Sequence, residues 1–260
     1  MKLAEIINRL EQFCPSSFAL DWDNSGLQAG NTQNPVDTVL LAVDCTSAVV
    51  EEAVEKHAQL ILTHHPLVFD GIKSISDNDF IGKRIVRMLE NRISCFSMHT
   101  NFDVLGMADA AADELKLLDR EVLEVTFEDD VSREGIGRIG KLPEYMTLSD
   151  ASAYVRDVFR VPYVRVFGQP DTPVLTAAIL PGSGSSEIDL ALKTGADVII
   201  TGDITHHKGL DAVEKGIAVI DAGHYGIEKL FVPYMESYFK REMPDLGVIR
   251  AAEEEPCFTV

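Results

Sequence analysis

The sequence predicts an α/β protein with two similar halves and mostly parallel or mixed sheets. Short apolar strands alternate with amphipathic helices, which is the pattern of βαβ units. One helix–strand pattern also occurs twice, with polar residues after the strands in both copies. The halves are predicted to be residues 1–125 and 126–260, with the option that the C-terminal helix, about 229–260, packs back onto the first half.

The elements of the first half follow from apolar periodicity and flanking breakers. Apolar residues at helical spacing predict a first helix that ends before Pro15. Ser47 is a candidate cap for a second helix. The predicted order is helix Leu3–Phe13, strand Thr38–Val43, helix from Ser47, strand Leu60–Leu62, helix Phe80–Leu89 and strand Ile93–Met98.

The middle of the chain, residues 121–141, predicts short strands and turns with little helical periodicity. The alternation of strands and helices then returns. The predicted order is helix Leu148–Phe159, strand Val174–Leu180, helix Ser185–Lys193, strand Val198–Ile200, strand Ile217–Ile220 and closing helix Ile227–Phe239.

An internal repeat links the two halves. Residues 47–63 match residues 185–201 at a constant offset of 138, through the last threonine of each strand. The next strand of each copy is followed by histidine with an acidic residue four positions later. Ligands bind at the carboxyl ends of strands in open α/β sheets, so the repeat predicts one polar site between the halves.

Composition limits the functional classes. Apolar residues make up 46% of the chain, which supports a sizeable core. The net charge is −19 and basic runs are absent from the sequence, which argues against general nucleic-acid binding. We expect no membrane span, no secretory signal and a cytoplasmic location. The scattered cysteines fit buried thiols better than disulfides or ligands: Cys14, Cys45, Cys95 and Cys257.

Six of the seven histidines fall beside predicted strand ends. His64 and His65 follow one strand, and His99 and His224 follow two others. Asp103 and Glu228 lie four residues after a histidine, so a helical turn would put nitrogen and oxygen donors on one face. Imidazoles and carboxylates together suit two divalent metal ions, although a lone histidine pair is also a common surface or capping feature.

Other polar residues near these strand ends leave alternatives open. We interpret Asp203, His206 and His207 as supporting the ligands or facing substrate, with exposed helix-start residues as the alternative for the two histidines. Asn24 lies in a turn that either anchors a loop or lines the site. The Gly-rich segment 182–186 could cradle an anion or form a simple tight turn, and its role stays open.

The chain resembles the Nif-three-like dinuclear-metal proteins, the GTP cyclohydrolase I type 2 homologues. The motifs that carry the resemblance run over nearly the whole chain: Trp22-Asp23-Asn24-Ser25-Gly26-Leu27, Thr63-His64-His65-Pro66, His99-Thr100-Asn101-Phe102-Asp103, Thr201-Gly202-Asp203 with His206-His207, and Gly223-His224-Tyr225-Gly226-Ile227-Glu228. The resemblance implies two similar α/β domains, a dinuclear metal site between them, and a homohexameric ring.

The resemblance also implies roles for residues at matching positions. His65 and Asp103 would hold one metal, His64 and His224 the other, and Glu228 would bridge both. His99 matches an active-site histidine outside the ligand set and suits proton transfer, since the unperturbed pKa of histidine is about 6.5. The metals could be Zn, Fe, Mn, Ni or Co.

The predicted function is metal-dependent hydrolysis of a small-molecule, nucleotide-like substrate, such as opening of the purine ring of GTP by activated water. Two alternatives remain: hydrolysis of a phosphate ester or nucleotide, and a metal-binding scaffold or regulatory protein without catalysis. The sequence does not choose among them.

Overall fold

A computed structural model of the chain describes residues 1–253 and residue 255. The chain divides into two compact units, each with its own sheet. Met1–Phe102 and Phe231–Val260 form the first unit, and Asp103–Leu230 forms the second.

The packing units and the predicted halves divide the chain at different positions. Residues 103–125, placed by the sequence with the first half, pack in the second unit. The described residues from Phe231 onward, 231–253 and 255, pack in the first unit. The halves 1–125 and 126–260 remain a prediction about the internal duplication.

The strands and helices alternate along most of the chain, so the predicted α/β class is confirmed. The strands are β1 (Gly26–Ala29), β2 (Thr38–Ala42), β3 (Leu60–Thr63), β4 (Ser94–Ser97), β5 (Leu118–Glu128), β6 (Arg133–Thr147), β7 (Arg165–Phe167), β8 (Pro173–Ser183), β9 (Val198–Gly202), β10 (Ala218–Asp221) and β11 (Gly247–Arg250). The α-helices are α1 (Leu3–Phe13), α2 (Ser47–Glu55), α3 (Phe80–Glu90), α4 (Thr100–Phe102), α5 (Ala108–Glu114), α6 (Leu148–Val158), α7 (Ile188–Lys193), α8 (His206–Lys215), α9 (His224–Glu228) and α10 (Phe231–Glu242).

The sheet of the first unit has the order β1-β4-β3-β2-β11. Strands β4, β3, β2 and β11 run parallel, and β1 joins the β4 edge antiparallel. Every residue of β3 and β4 is buried, as expected for parallel strands covered on both faces. The parallel arrangement brings the ends of β2, β3 and β4 to one edge, where Asp44, His64 and His99 follow.

The sheet of the second unit has the order β5-β6-β8-β9-β10-β7. Strands β8, β9 and β10 are parallel, and the outer strands pair antiparallel. Each unit therefore contains three consecutive parallel strands joined through helices, in line with the repeat in the sequence. Instead of several short strands, residues 121–141 belong to two long strands, β5 and β6, which pair antiparallel as a hairpin. The turn that joins these two strands is only a few residues long.

One helix cap and one helix start differ from the predictions. Thr46, not Ser47, caps α2, since its side chain accepts a hydrogen bond from the Val49 amide at 3.2 Å. The helix predicted from Ser185 begins at Ile188. Thr46 and Ser47 are adjacent hydroxyl residues, so either could serve as the cap of α2. Helix α7 instead begins after Glu187, whose side chain makes no capping hydrogen bond.

The closing helix predicted over 227–239 is two helices, α9 and α10. The break after Glu228 coincides with the boundary between the packing units at Leu230. Glu228 thus ends a short helix of the second unit, and Phe231 begins a helix of the first.

Residues 1–253 and 255 contain no helix that is both long and apolar enough to cross a bilayer. Cys14, Cys45 and Cys95 are buried thiols, as the sequence predicted. Cys257 lies outside the described residues.

Candidate metal centre

His64 lies at the end of β3 and is fully buried. Its Nδ1 atom is 2.8 Å from the Met98 carbonyl oxygen. A carbonyl oxygen can only accept a hydrogen bond, so Nδ1 must carry the hydrogen. In the neutral ring, Nε2 then carries the lone pair, which is the form that binds metals.

His65 is held in a similar way by the neighbouring strand. Its Nδ1 atom lies 2.9 Å from Asp44 Oδ1, at the end of β2. The Thr63 hydroxyl donates to the His65 carbonyl at 2.8 Å and ties down the backbone after β3. An ionised carboxylate only accepts, so Asp44 also favours the ring form with its lone pair on Nε2.

His99 follows β4 and is held by a buried carboxylate. Its Nδ1 atom is 2.7 Å from Asp23 Oδ1, and the Asp23 side chain has no solvent exposure. Ser25 Oγ and Thr100 Oγ1 each donate to Asp23 at 2.6 Å. Burial acts to raise the pKa of Asp23, but the hydrogen bonds from His99, Ser25 and Thr100 outweigh it and hold that pKa well below its usual range.

The three imidazoles of the first unit form one cluster. Ring nitrogens of His64, His65 and His99 all lie within 4.8 Å of one another. Their ring centroids are separated by 4.9 Å for His64 and His65, and by 5.3 and 5.5 Å from His99. Because each Nδ1 atom faces an oxygen acceptor, the cluster is chemically suited to hold a metal ion.

The second unit places histidine and carboxylate donors together at the start of α9. His224 and Glu228 lie on one face of this helix, with His224 Nε2 2.9 Å from Glu228 Oε2. The other ring nitrogen, Nδ1, lies 2.8 Å from Asp203 Oδ2. The expected pairing of residues four apart is therefore confirmed for His224 and Glu228, and Asp203 orients the ring.

The Gly-rich turn at the end of β8 lies beside this pair. Gly182 has φ +74°, and a Cβ at this position would be 2.6 Å from Glu228 Oε1. The turn is tied to the next strand, since Gly184 N donates to Thr201 Oγ1 at 2.8 Å. The glycine therefore makes room for the Glu228 carboxylate, a role that neither sequence interpretation of the turn included.

The remaining predicted residues occupy different settings. Asp103 is the half-buried first residue of a π-helical turn, Asp103–Met107, at the start of the second unit. His206 and His207 are exposed at the start of α8, with ring centroids 5.3 Å apart. Asn24 is exposed, and its Nδ2 donates to the Val68 carbonyl at 2.6 Å, so it joins two loops.

Sequence reasoning did not assign Asp44 to the site. One signal was present: Asp44 directly follows the predicted strand Thr38–Val43, as His99 follows the predicted strand Ile93–Met98. Its use depends on β2 being the neighbour of β3, which the sequence pattern does not specify. The fold and the cluster together define an α/β protein with a candidate metal centre.

Residues 1–256 match the family described as Duf34/NIF3 (NGG1p interacting factor 3), and the chain belongs to this family. The GTP cyclohydrolase 1 type 2 homolog of Clostridium perfringens is 36% identical over 261 residues, covering 99% of this chain and 99% of that protein. The protein of the same name from Clostridium acetobutylicum is 35% identical over 250 residues, covering 95% and 93%.

A solved structure supports the fold over the full length. The Bacillus cereus protein related to NIF3 matches with a TM-score of 0.91 and 24% identity, covering 100% of this chain and 99% of that chain. At this identity the similarity shows the fold alone.

Proposed function

We propose that this protein is a metal-dependent hydrolase that binds two divalent ions per chain. The proposed ligands are His64, His65, Asp103, His224 and Glu228, with Glu228 serving both ions. The observation that carries the proposal is the adjacent pair His64 and His65, in which each Nδ1 atom faces an oxygen acceptor, with His99 beside them.

The donor chemistry fits transition-metal ions. Three imidazoles among the five proposed ligands favour Zn, Fe, Mn, Ni or Co over Mg and Ca, which prefer oxygen donors. Asp44 and Asp203 support this fit, since carboxylates that hold a ligand ring strengthen its basicity.

Divalent ions at this position would supply Lewis acidity that activates water and polarises the substrate. His99 would move the proton at its Nε2 atom, because Asp23 holds the Nδ1 hydrogen. Asp203 would keep the His224 ring in place, and the exposed His206 and His207 would face substrate.

The substrate class follows from the relatives and from charge. Relatives named GTP cyclohydrolase 1 type 2 homolog suggest a purine nucleotide whose ring is opened. A chain of net charge −19 needs a local cation to accept such an anion, and the proposed metals would provide it. Phosphate-ester hydrolysis is the second candidate reaction, because a metal pair also stabilises attack on phosphorus.

The first experiment counts metals per chain after purification and after loading with zinc or manganese. We expect about two per chain for the wild type, and fewer for His64→Ala and Glu228→Gln. His99→Ala should keep the metals but lower turnover of GTP or of a phosphate ester by about 10²- to 10⁴-fold. His57→Ala, at an exposed histidine of the first unit, is the matched control.

The outcomes separate the candidates. Loss of metal in His99→Ala would make His99 a ligand and remove its proposed catalytic role. Full metal content with no turnover of any substrate would favour a metal-binding scaffold over an enzyme. A wild type that stays metal-free in excess zinc and manganese would overturn the proposal.

We also propose that the protein is a cytoplasmic homohexamer. The resemblance to the Nif-three-like proteins supports the ring, and the buried thiols suit a reducing compartment. Sedimentation velocity on the purified protein tests the assembly, and a monomer at micromolar concentration would contradict it.

A further inference from the structure

Two exposed aromatic side chains lie beside the imidazole cluster of the first unit. Trp22 is 58% exposed and Phe69 is 56% exposed. Their ring centroids are 5.8 Å apart, with 40° between the planes. We call this pair the aromatic platform. Large aromatic rings are usually buried, so two adjacent exposed ones need an explanation.

The aromatic platform borders His99. The Trp22 centroid is 5.8 Å from the His99 ring, and the Phe69 centroid is 6.0 Å from it. The ring planes of Trp22 and Phe69 make angles of 73° and 66° with the imidazole plane, so neither ring is stacked on His99. A ring that stacked on the platform would therefore lie next to His99.

The loops that carry the two rings are joined by hydrogen bonds. Asn24 Nδ2 donates to the Val68 carbonyl at 2.6 Å, and the Val68 amide donates to Gln28 Oε1 at 3.2 Å. Gln28 Nε2 in turn donates to the Asn24 carbonyl at 2.6 Å. The buried Asp23, next to Trp22, fixes the other side of the loop. The platform is thus preorganised, which lowers the entropy cost of binding.

We propose that the aromatic platform stacks the planar heteroaromatic ring of the substrate, a nucleobase, and places it against His99. The inference rests on the proposed function and specifies the part of the substrate that this surface recognises. Stacking on aromatic side chains accepts any base, since every base has a π face. Asp21 and Asp70, the exposed neighbours of the two rings in sequence, disfavour phosphate at this position.

Trp22 is the only tryptophan in the chain, so its fluorescence reports directly on the platform. We would titrate the full-length protein, metal-free and metal-loaded, with guanosine and adenosine, and with ribose as the non-aromatic control. After correction for nucleoside absorption, we expect saturable quenching by both nucleosides and none by ribose.

Phe69→Leu keeps an apolar side chain but removes the ring. We expect its nucleoside dissociation constant to rise by about 5- to 150-fold, the range for loss of one stacking partner. Phe80→Leu is the matched control, because Phe80 is also in the first unit and is 63% exposed. This control should bind nucleosides as the wild type does, and both variants should retain their metals.

Equal quenching by ribose, absent quenching by nucleosides, or wild-type affinity in Phe69→Leu would overturn the inference. A change of oligomeric state in Phe69→Leu would show that a second copy of the chain covers the platform, and would also overturn it. Counting metals in the same samples keeps the two proposals apart. Quenching in a protein that takes up no metal even from excess zinc or manganese would reject the hydrolase proposal alone, whereas metal uptake without quenching would reject the platform alone.

Discussion

The Asp23 carboxylate lies 2.7 Å from His99 Nδ1, with its side chain fully buried. Its pKa is held below the usual range because hydrogen bonds from His99, Ser25 and Thr100 outweigh the effect of burial, which alone would raise it. A carboxyl group with a lowered folded-state pKa stabilises the fold above its unfolded pKa of about 3.9, and this contribution is lost as the pH falls.

We therefore predict that Asp23→Asn lowers the free energy of unfolding by about 2–4 kcal/mol at neutral pH, in chelator-treated protein. The difference from the wild type should shrink as the pH falls below about 4, because the Asp23 carboxyl takes up a proton in the unfolded chain while it stays ionised in the folded one. Denaturant unfolding over this pH range measures both effects. Asp21→Asn, at an exposed neighbour, should change stability by less than about 0.5 kcal/mol. A pH-independent loss in Asp23→Asn would contradict the role of its charge.

Asp44 supports the His65 ring from the end of the neighbouring strand, at 2.9 Å. Asp44→Ala is predicted to weaken metal binding by about 10- to 100-fold, as is typical when the partner of a ligand histidine is lost. Asp44→Asn should lose less metal affinity than Asp44→Ala, because the asparagine side-chain oxygen can still accept the hydrogen bond from His65 Nδ1. Competition with a chromophoric chelator gives the affinities.

The control for Asp44 is Asp77→Ala, an exposed aspartate of the same unit. It should bind metal as the wild type does. Asp44 is itself about half exposed, so neither change should cost more than about 1 kcal/mol of stability. Equal metal affinities for Asp44→Ala and Asp77→Ala would argue against a supporting role for Asp44.

The parallel core of each unit could be predicted from the sequence because its strands are short, apolar and bounded by polar residues. The strand before His64 was predicted at Leu60–Leu62 and extends over Leu60–Thr63. The histidines and acidic residues at strand ends could be picked out for the same reason, since the apolar run stops where they begin.

The partners of these histidines could not be predicted, because they depend on strand order. Asp23 reaches His99 because β1 pairs with β4, with Gly26 opposite Ser97. Strand β1 reads Gly-Leu-Gln-Ala, which has neither β-branched residues nor a marked apolar run. Such an edge strand is recognised only once its neighbour is known.

Arg138 is a buried cation that holds the segment after Asp103. Its guanidinium donates to Asp109 through Nε at 2.9 Å and Nη2 at 2.8 Å. Its Nη1 atom donates to the carbonyls of Gly135 at 2.8 Å and Gly137 at 2.9 Å. The two bonds to Asp109 join β6 to α5. Helix α5 directly follows the π-helical turn that begins at Asp103.

Arg138→Met is predicted to destabilise the protein by about 2–4 kcal/mol, because it removes the donor that the guanidinium gives to the buried carbonyls of Gly135 and Gly137. Arg133→Met is the matched control, since Arg133 and Glu128 form an exposed pair at 3.9 Å. That change should cost less than about 1 kcal/mol. Urea unfolding compares the two variants, and equal midpoints would contradict the prediction.

The final prediction concerns the space that Gly182 leaves for Glu228. An added Cβ would lie 2.6 Å from Glu228 Oε1 and 3.7 Å from His224 Nε2. Glu228 is almost completely buried, so its carboxylate has little room to move aside without leaving its position 2.9 Å from His224. Gly182→Ala should therefore lower metal affinity by about ten-fold or more.

Backbone strain must be separated from this displacement, because Gly182 has φ +74°. Gly195 also has a positive φ, +89°, but in the described part of the chain no heavy atom beyond its sequence neighbours lies within 4 Å of an added Cβ. Both alanine variants should lose about 1 kcal/mol of stability. Only Gly182→Ala should lose metal affinity, measured by chelator competition at matched folded fractions. Equal metal affinities for Gly182→Ala and Gly195→Ala would mean that the Glu228 carboxylate either binds the metal despite its displacement or does not bind it at all.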